Sequence, residues 1–122
     1  MAWSYFQRTG ELADASGEIV AKGYSGMGAA KNRPECQCQV DRGPIPRGRY
    51  RLDVPIDTKT HGPYVLWLDP DQGNAMCGRS AFGIHGDSLV HPGMASEGCI
   101  ILSRMVREKM WHSADHDLEV TA

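Results

Sequence analysis

Residues 82–102 read Phe82-Gly83-Ile84-His85-Gly86-Asp87-Ser88-Leu89-Val90-His91-Pro92-Gly93-Met94-Ala95-Ser96-Glu97-Gly98-Cys99-Ile100-Ile101-Leu102. Two short apolar runs, Phe82–Ile84 and Cys99–Leu102, have the length of buried strands. Between them lies a segment of Gly, Pro, Ser and Asp, the composition of a surface connection. A histidine closes the first run and a cysteine opens the second. His85 and Cys99 are therefore expected at the ends of two adjacent strands, a rigid place for a reactive pair. The thiolate is the reactive form of cysteine, and a neighbouring imidazole can take the proton and hold the two as an ion pair. Gly98 lets the backbone approach a substrate carbonyl, with the amides around Gly98 and Cys99 turned toward a developing oxyanion. Composition alone favours a blander reading, a buried apolar cysteine and a hydrogen-bonded core histidine.

The whole string says more than the pair. Ile84-His85-Gly86-Asp87, then a Gly/Pro/Ser loop, then Ala95-Ser96-Glu97-Gly98-Cys99-Ile100, resembles the signature of the L,D-transpeptidases, which remodel bacterial peptidoglycan with a cysteine nucleophile. It is most similar to a shorter subgroup, the L,D-transpeptidase-like effectors that type VI secretion systems deliver into rival bacteria. Ordinary members carry Ser-His-Gly-Cys. Here Glu97 stands where that histidine would be, which fits the effector subgroup better than a housekeeping enzyme.

Much follows from the resemblance. Cys99 attacks the carbonyl of the third stem-peptide residue, the L-centre of diaminopimelate, and His85 passes the thiol proton to the departing D-alanine. Water or an amine then resolves the thioester, giving carboxypeptidase or transpeptidase exchange. Gly98, Ser96, Gly86 and Asp87 support the oxyanion or the substrate. Gly23-Tyr24-Ser25-Gly26 and the later Lys31-Asn32 are similar to the effector subgroup, which implies that Tyr24, Lys31 and Asn32 face the cleft. No metal or organic cofactor is needed. The partners are peptidoglycan stem peptides, with room for a cognate immunity protein and a secretion-system carrier. A non-catalytic wall-binding module on the same fold, and a housekeeping or phage-related transpeptidase, are the alternatives.

Composition bounds these readings. The chain has 122 residues, 41% of them apolar, and a net charge of −2, which suits one domain over residues 1–122 and argues against nucleic acid as the main partner. Arg42, Arg47, Arg49 and Arg51 read as a solvated strand edge. No apolar run is long enough to span a membrane. The first residues lack a basic stretch followed by an apolar core, so the expectation is synthesis in the cytoplasm, delivery by another machine, and action in the periplasm of a target bacterium. Of four cysteines, Cys36, Cys38 and Cys77 can form one disulfide at most beside a free Cys99. Cys36 and Cys38 are too close to bridge each other, and sequence leaves open which of them pairs with Cys77.

Other constellations are weaker. Cys36-x-Cys38 with His112-x3-His116 is too tightly spaced for a zinc set. Ser96 lacks the Gly-x-Ser-x-Gly elbow of serine hydrolases and better suits a hydrogen bond to the substrate or to the cysteine loop. Asp87 either orients the imidazole or a substrate amine, or bonds its own loop. His91, before Pro92, belongs at the surface. His61 sits in a polar loop, Asp57–Gly62, with no visible partner.

Strands are expected at Trp3–Gln7, Glu11–Ala13, Glu18–Tyr24, Arg49–Val54, Tyr64–Leu68 and Asp117–Thr121, in addition to the two around the motif. Residues 25–34 form a loop, and Gly43–Gly48 a double-proline turn. One helix, Ser103–His112, is capped by Ser103 and turns Leu102, Met105, Val106 and Met110 inward. The fold class is mostly β, a compact sandwich or half-open barrel with one helix near the C-terminus, and the resemblance implies the L,D-transpeptidase-type sandwich.

Overall fold

The computed structural model describes residues 1–122. Its strands are β1 (Trp3–Phe6), β2 (Glu11–Ala13), β3 (Ile19–Lys22), β4 (Tyr24–Ser25), β5 (Gly48–Leu52), β6 (Ile56–Thr58), β7 (Gly62–Pro70), β8 (Gly83–His85), β9 (Ile100–Ile101) and β10 (Asp117–Thr121). They form a sheet in the order β3-β2-β1-β10-β5-β7-β8-β9-β4, with β6 as a side branch on β7. The molecule is thus mostly β. Helix α1 (Arg104–His112) packs against β7 and β8.

The nine-residue β7 joins the two arms of the sheet. One end pairs with β5, Leu68 opposite Leu52, and the other with β8, Leu66 opposite Ile84. Both arms feed one core in which Tyr5, Leu12, Leu66, Ile84, Ile100 and Met110 have no exposed surface. Burying a side chain of this size contributes about 1.5–3 kcal/mol. The Tyr64–Leu68 run therefore belongs to the central strand, as its apolar character predicts.

Two departures from the sequence reading matter. The strand expected over Glu18–Tyr24 breaks at Gly23 into β3 and β4. There the chain passes directly against the Ile101 carbonyl, leaving no space for a Cβ, so it leaves one arm and joins the other at β9. The polar stretch Asp57–Gly62 is not a free loop. Ile56–Thr58 pairs with β7, and residues 59–61 turn the hairpin.

The helix begins as expected, with Ser103 Oγ accepting from the Val106 N–H at 3.4 Å. Its faces are shifted, however. Met110 is buried and Val106 half-buried, but Met105 is 80% exposed and Arg107 only 4%. Arg107 donates to the carbonyls of Leu102, Ser103, Pro63 and Tyr64 at 2.6–3.4 Å. A buried guanidinium with this many acceptors is paired, which is what burial of a cation requires.

Cys38 and Cys77 form the disulfide, tying the segment before the double-proline turn to the segment after β7. This also excludes the Cys36/Cys38/His112/His116 zinc set, since Cys38 is consumed and His116 Nε2 donates to the Trp111 carbonyl while the ring stacks on Trp111. Arg49 and Arg51 make exposed pairs with Glu119 and Asp117 across β5 and β10; they are solvated as expected, but on the face of an interior strand, since β5 is paired on both sides and is not an edge. No helix is long and apolar enough to cross a membrane.

Candidate active site

The floor of the site follows from strand alternation. Side chains on a strand alternate between faces, so one row across paired strands shares a face. Trp67 lies opposite Gly83 on β7 and β8, and the parallel register of β8 with β9, Ile84 beside Ile100, carries Cys99 next to Gly83. Ile84 and Ile100 thereby face the core, and Trp67, Gly83, Cys99 and His85 face the other way. A Cβ on Gly83 would meet the Trp67 ring at 2.8 Å, so only glycine keeps this floor open.

Above it lies a cleft of about 980 Å³ lined by His85, Cys99, Glu97, Gly98, Arg79 and Asp87 among others. The two residues expected to carry the chemistry are thus together, both nearly buried, with His85 5% and Cys99 8% exposed. His85 Nδ1 lies 2.8 Å from the Gly86 carbonyl oxygen. A carbonyl only accepts, so the proton sits on Nδ1 and the basic lone pair is on Nε2. Gly86 is therefore the group that orients the imidazole.

Burial sets the protonation states. Burial pushes the Cys99 thiol above its ordinary value; the Gly83 backbone N–H and the Arg79 cation oppose this, and Glu97 adds to it. Burial likewise pulls the His85 imidazole below its ordinary value, helped by His61 and Arg107 and opposed by the Gly86 carbonyl and Asp87. Both shifts favour the uncharged forms of the thiol and the imidazole. The ion pair anticipated from sequence gives way because both charged forms lose solvation here.

Ser96 is 1% exposed. Its Oγ accepts from the Gly26 and Gly98 N–H groups at 2.9 and 3.0 Å and donates to the Cys99 carbonyl. It shapes the cysteine turn, one of the two roles foreseen for it, and is not placed as a nucleophile. Gly98 needs correction in one respect. Its N–H is engaged by Ser96 and its carbonyl accepts from Ser25 Oγ at 2.7 Å, so it is not a spare oxyanion donor. Its φ of +147°, with Arg79 and Phe82 both 2.7 Å from where a Cβ would be, explains the glycine.

Asp87 bonds its own loop, accepting from the Ser88 and Gly93 N–H groups and from the Tyr24 hydroxyl at 2.7 Å. Burial is the largest single influence and raises its carboxyl, but the Tyr24, Gly93 and Ser88 donors and the Lys31 cation together prevail and hold it below the ordinary range. Tyr24 in turn is pushed up to about 12, by burial first and by the Asp87 hydrogen bond second, and its oxygen accepts from the Ala95 N–H. Lys31 lies over the Tyr24 ring, 4.5 Å from its centre, and donates to the Gly93 carbonyl. Asn32, at φ 57°, accepts from the Ser25 N–H. The substrate-facing role expected for Tyr24, Lys31 and Asn32 is thus replaced by a bracing one. Tyr24 and Lys31 hold the 87–95 loop, Asn32 holds the Ser25 backbone, and none of the three lines the cleft.

Two residues that sequence reasoning missed belong to the site. Arg79 is buried and donates to the carbonyls of Gln37, Gly43, Pro44 and Glu97, clamping the cysteine turn to the disulfide-tied segment. His61 reaches the cleft from the tip of the β6–β7 hairpin. Its ring meets those of Trp67 and His85 edge-on, each at 5.1 Å, and donor atoms of His61, His85 and Cys99 all lie within 4.8 Å of one another. The alternation of Ile56 and Thr58 was the one signal for that hairpin. His91 lies at the exposed surface, as expected.

Comparison with known proteins bears on the fold and the family. The structure of an L,D-transpeptidase (Yku) from Stackebrandtia nassauensis aligns with a TM-score of 0.53 at 13% identity, over 99% of this chain and 55% of that one. The likeness is one of fold, and the chain spans about half the length of that protein. Comparison with curated proteins returned no match. The sequence profile of the Tlde1 domain matches residues 19–121, which takes in every element of the site, and the chain accordingly belongs to the Tlde1 domain family of L,D-transpeptidase-like effectors.

Proposed function

We propose that the protein is a cysteine acyltransferase acting on peptidoglycan stem tetrapeptides, releasing the terminal D-alanine. The observation that carries this reading is the joint placement of Cys99 and His85 on the cleft floor, with His85 Nδ1 tied to the Gly86 carbonyl and Nε2 left basic. Cys99 Sγ attacks the carbonyl carbon of the third residue while His85 takes the thiol proton. The two neutral groups make proton transfer part of the attack, as general-base catalysis does. The backbone N–H of Cys99 is the donor we assign to the oxyanion. Collapse of the tetrahedral intermediate breaks the C–N bond, and the D-alanine amine leaves with the proton held by His85. Water or an amine then cleaves the thioester and frees Cys99.

Consumption of tetrapeptide donors outside the cytoplasm would make the protein an antibacterial effector. The reading is tested by incubating tetrapeptide-rich peptidoglycan with the protein and analysing the digested muropeptides by mass spectrometry. Conversion of tetra- to tripeptides, lost in a folded Cys99→Ala variant, is the expected result. Full conversion by Cys99→Ala would refute it.

A further inference from the structure

We propose that His61 is the base of the second half-reaction, deprotonating the water or amine that resolves the Cys99 thioester. The proposal rests on the acyl-enzyme reading above. His61 and His85 do not stand equally toward the cleft. His85 is 5% exposed on the floor, with Nδ1 committed to the Gly86 carbonyl. His61 is half-buried on the hairpin wall. Of the two imidazoles, His61 is the one more open to solvent.

His61 is also fixed as a catalytic base must be. Its Nδ1 is 2.7 Å from Thr60 Oγ1; with Nδ1–H donating to that hydroxyl oxygen, the tautomer the proposal assigns, Nε2 is the basic nitrogen left for a reactant. Its backbone N–H donates to Thr58 Oγ1 at 2.8 Å, and Trp67 and His85 bracket the ring. A separation within 4.8 Å from Cys99 spans one intervening water, and a base acting through or upon one water has the reach needed. In the step itself a proton of the incoming water passes to His61, and the water oxygen bonds to the thioester carbon. The C–S bond then breaks, and the sulfur recovers the proton from His61 as the thiol forms. An amine follows the same course, giving an amide in place of the acid.

The test follows both half-reactions in one experiment, with a disaccharide-tetrapeptide as the probe. Wild-type protein and His61→Gln, which keeps a side chain of similar reach but no base, are mixed in excess over substrate and then with substrate in excess. D-alanine release reads acylation, and intact mass after acid quench reads the thioester. For His61→Gln we expect single-turnover D-alanine release within about threefold of wild type, a steady-state rate lower by about a hundredfold, and an accumulated acyl-enzyme absent from wild type. Unchanged steady-state turnover would overturn the proposal. So would an equal loss in both phases, which would make His61 a positioning residue for His85. His61→Ala must show the same imbalance if the lost base, and not the introduced amide, is responsible. Failure of the acyl-enzyme reading is distinguished by the wild-type arm, where no D-alanine would be released at all.

Discussion

At the scale of the residue, the neutral thiol–imidazole pair sets the pH behaviour. His85 must be neutral to accept the proton, and burial holds its titration below the ordinary imidazole range. The acid limb of kcat/KM is therefore expected below about pH 6.5, with activity retained where a free imidazole would be half-protonated. Cys99 titrates above its ordinary value, so its alkylation by iodoacetamide should climb with pH into the alkaline range. A pH-independent alkylation plateau below neutrality would reveal a thiolate–imidazolium pair and contradict this account. Gly98→Ala is the companion test. It forces a side chain into a left-handed φ and against Arg79 and Phe82, and we expect a loss of about 1–3 kcal/mol of stability by thermal denaturation together with loss of D-alanine release. The Cys99, His85 and Ser96 cluster was legible in sequence because strand ends and turn residues leave a local pattern. Arg79 and His61 were not, because each reaches the site through contacts distant in the chain, and the short Ile56/Thr58 alternation marks the hairpin of His61 but not its approach to Cys99.

At the scale of the element, the cleft is held by pieces that leave little trace in the sequence. Helix α1 was readable from its cap and its apolar spacing, yet the residue that anchors it to the β7 hairpin is a charged one. Arg107→Met should cost about 3 kcal/mol or more in urea denaturation, because several buried carbonyls lose their donor at once. A change under 1 kcal/mol would show that the guanidinium is not the anchor. The Cys38–Cys77 bridge closes a span of 39 positions, for which chain entropy predicts about 2–4 kcal/mol of stabilisation. Its removal in Cys38→Ser/Cys77→Ser is expected to lower the urea midpoint accordingly. It should also slow D-alanine release, since Arg79 sits two residues beyond Cys77 and clamps the Glu97 carbonyl. Unaltered kinetics with lowered stability would confine the bridge to a structural role. The pairing was open from sequence because Cys36 and Cys38 are equivalent candidates until the fold places one of them.

At the scale of the whole molecule, a mostly β fold with one late helix was legible from short alternating runs separated by turns. The shared strand that makes two arms from one sheet was not, since a run buried on both faces reads alike in many sheets. If the substrate is the stem peptide, the compartment decides the phenotype. Expression in the bacterial cytoplasm is expected to be harmless, and fusion to an export signal to cause swollen or misshapen cells. Cys99→Ala should abolish that effect. Equal toxicity in both compartments would indicate another substrate, and toxicity surviving Cys99→Ala would favour wall binding without chemistry.

The most direct test of the central claim is the location of the covalent intermediate. The protein is mixed with disaccharide-tetrapeptide, quenched in acid on the time scale of one turnover, and digested for peptide mapping. The account predicts the mass of the acyl-tripeptide on the peptide bearing Cys99, labile to hydroxylamine and absent from Cys99→Ala. D-alanine release that proceeds with the adduct on another residue, or that persists undiminished in Cys99→Ala, would contradict it.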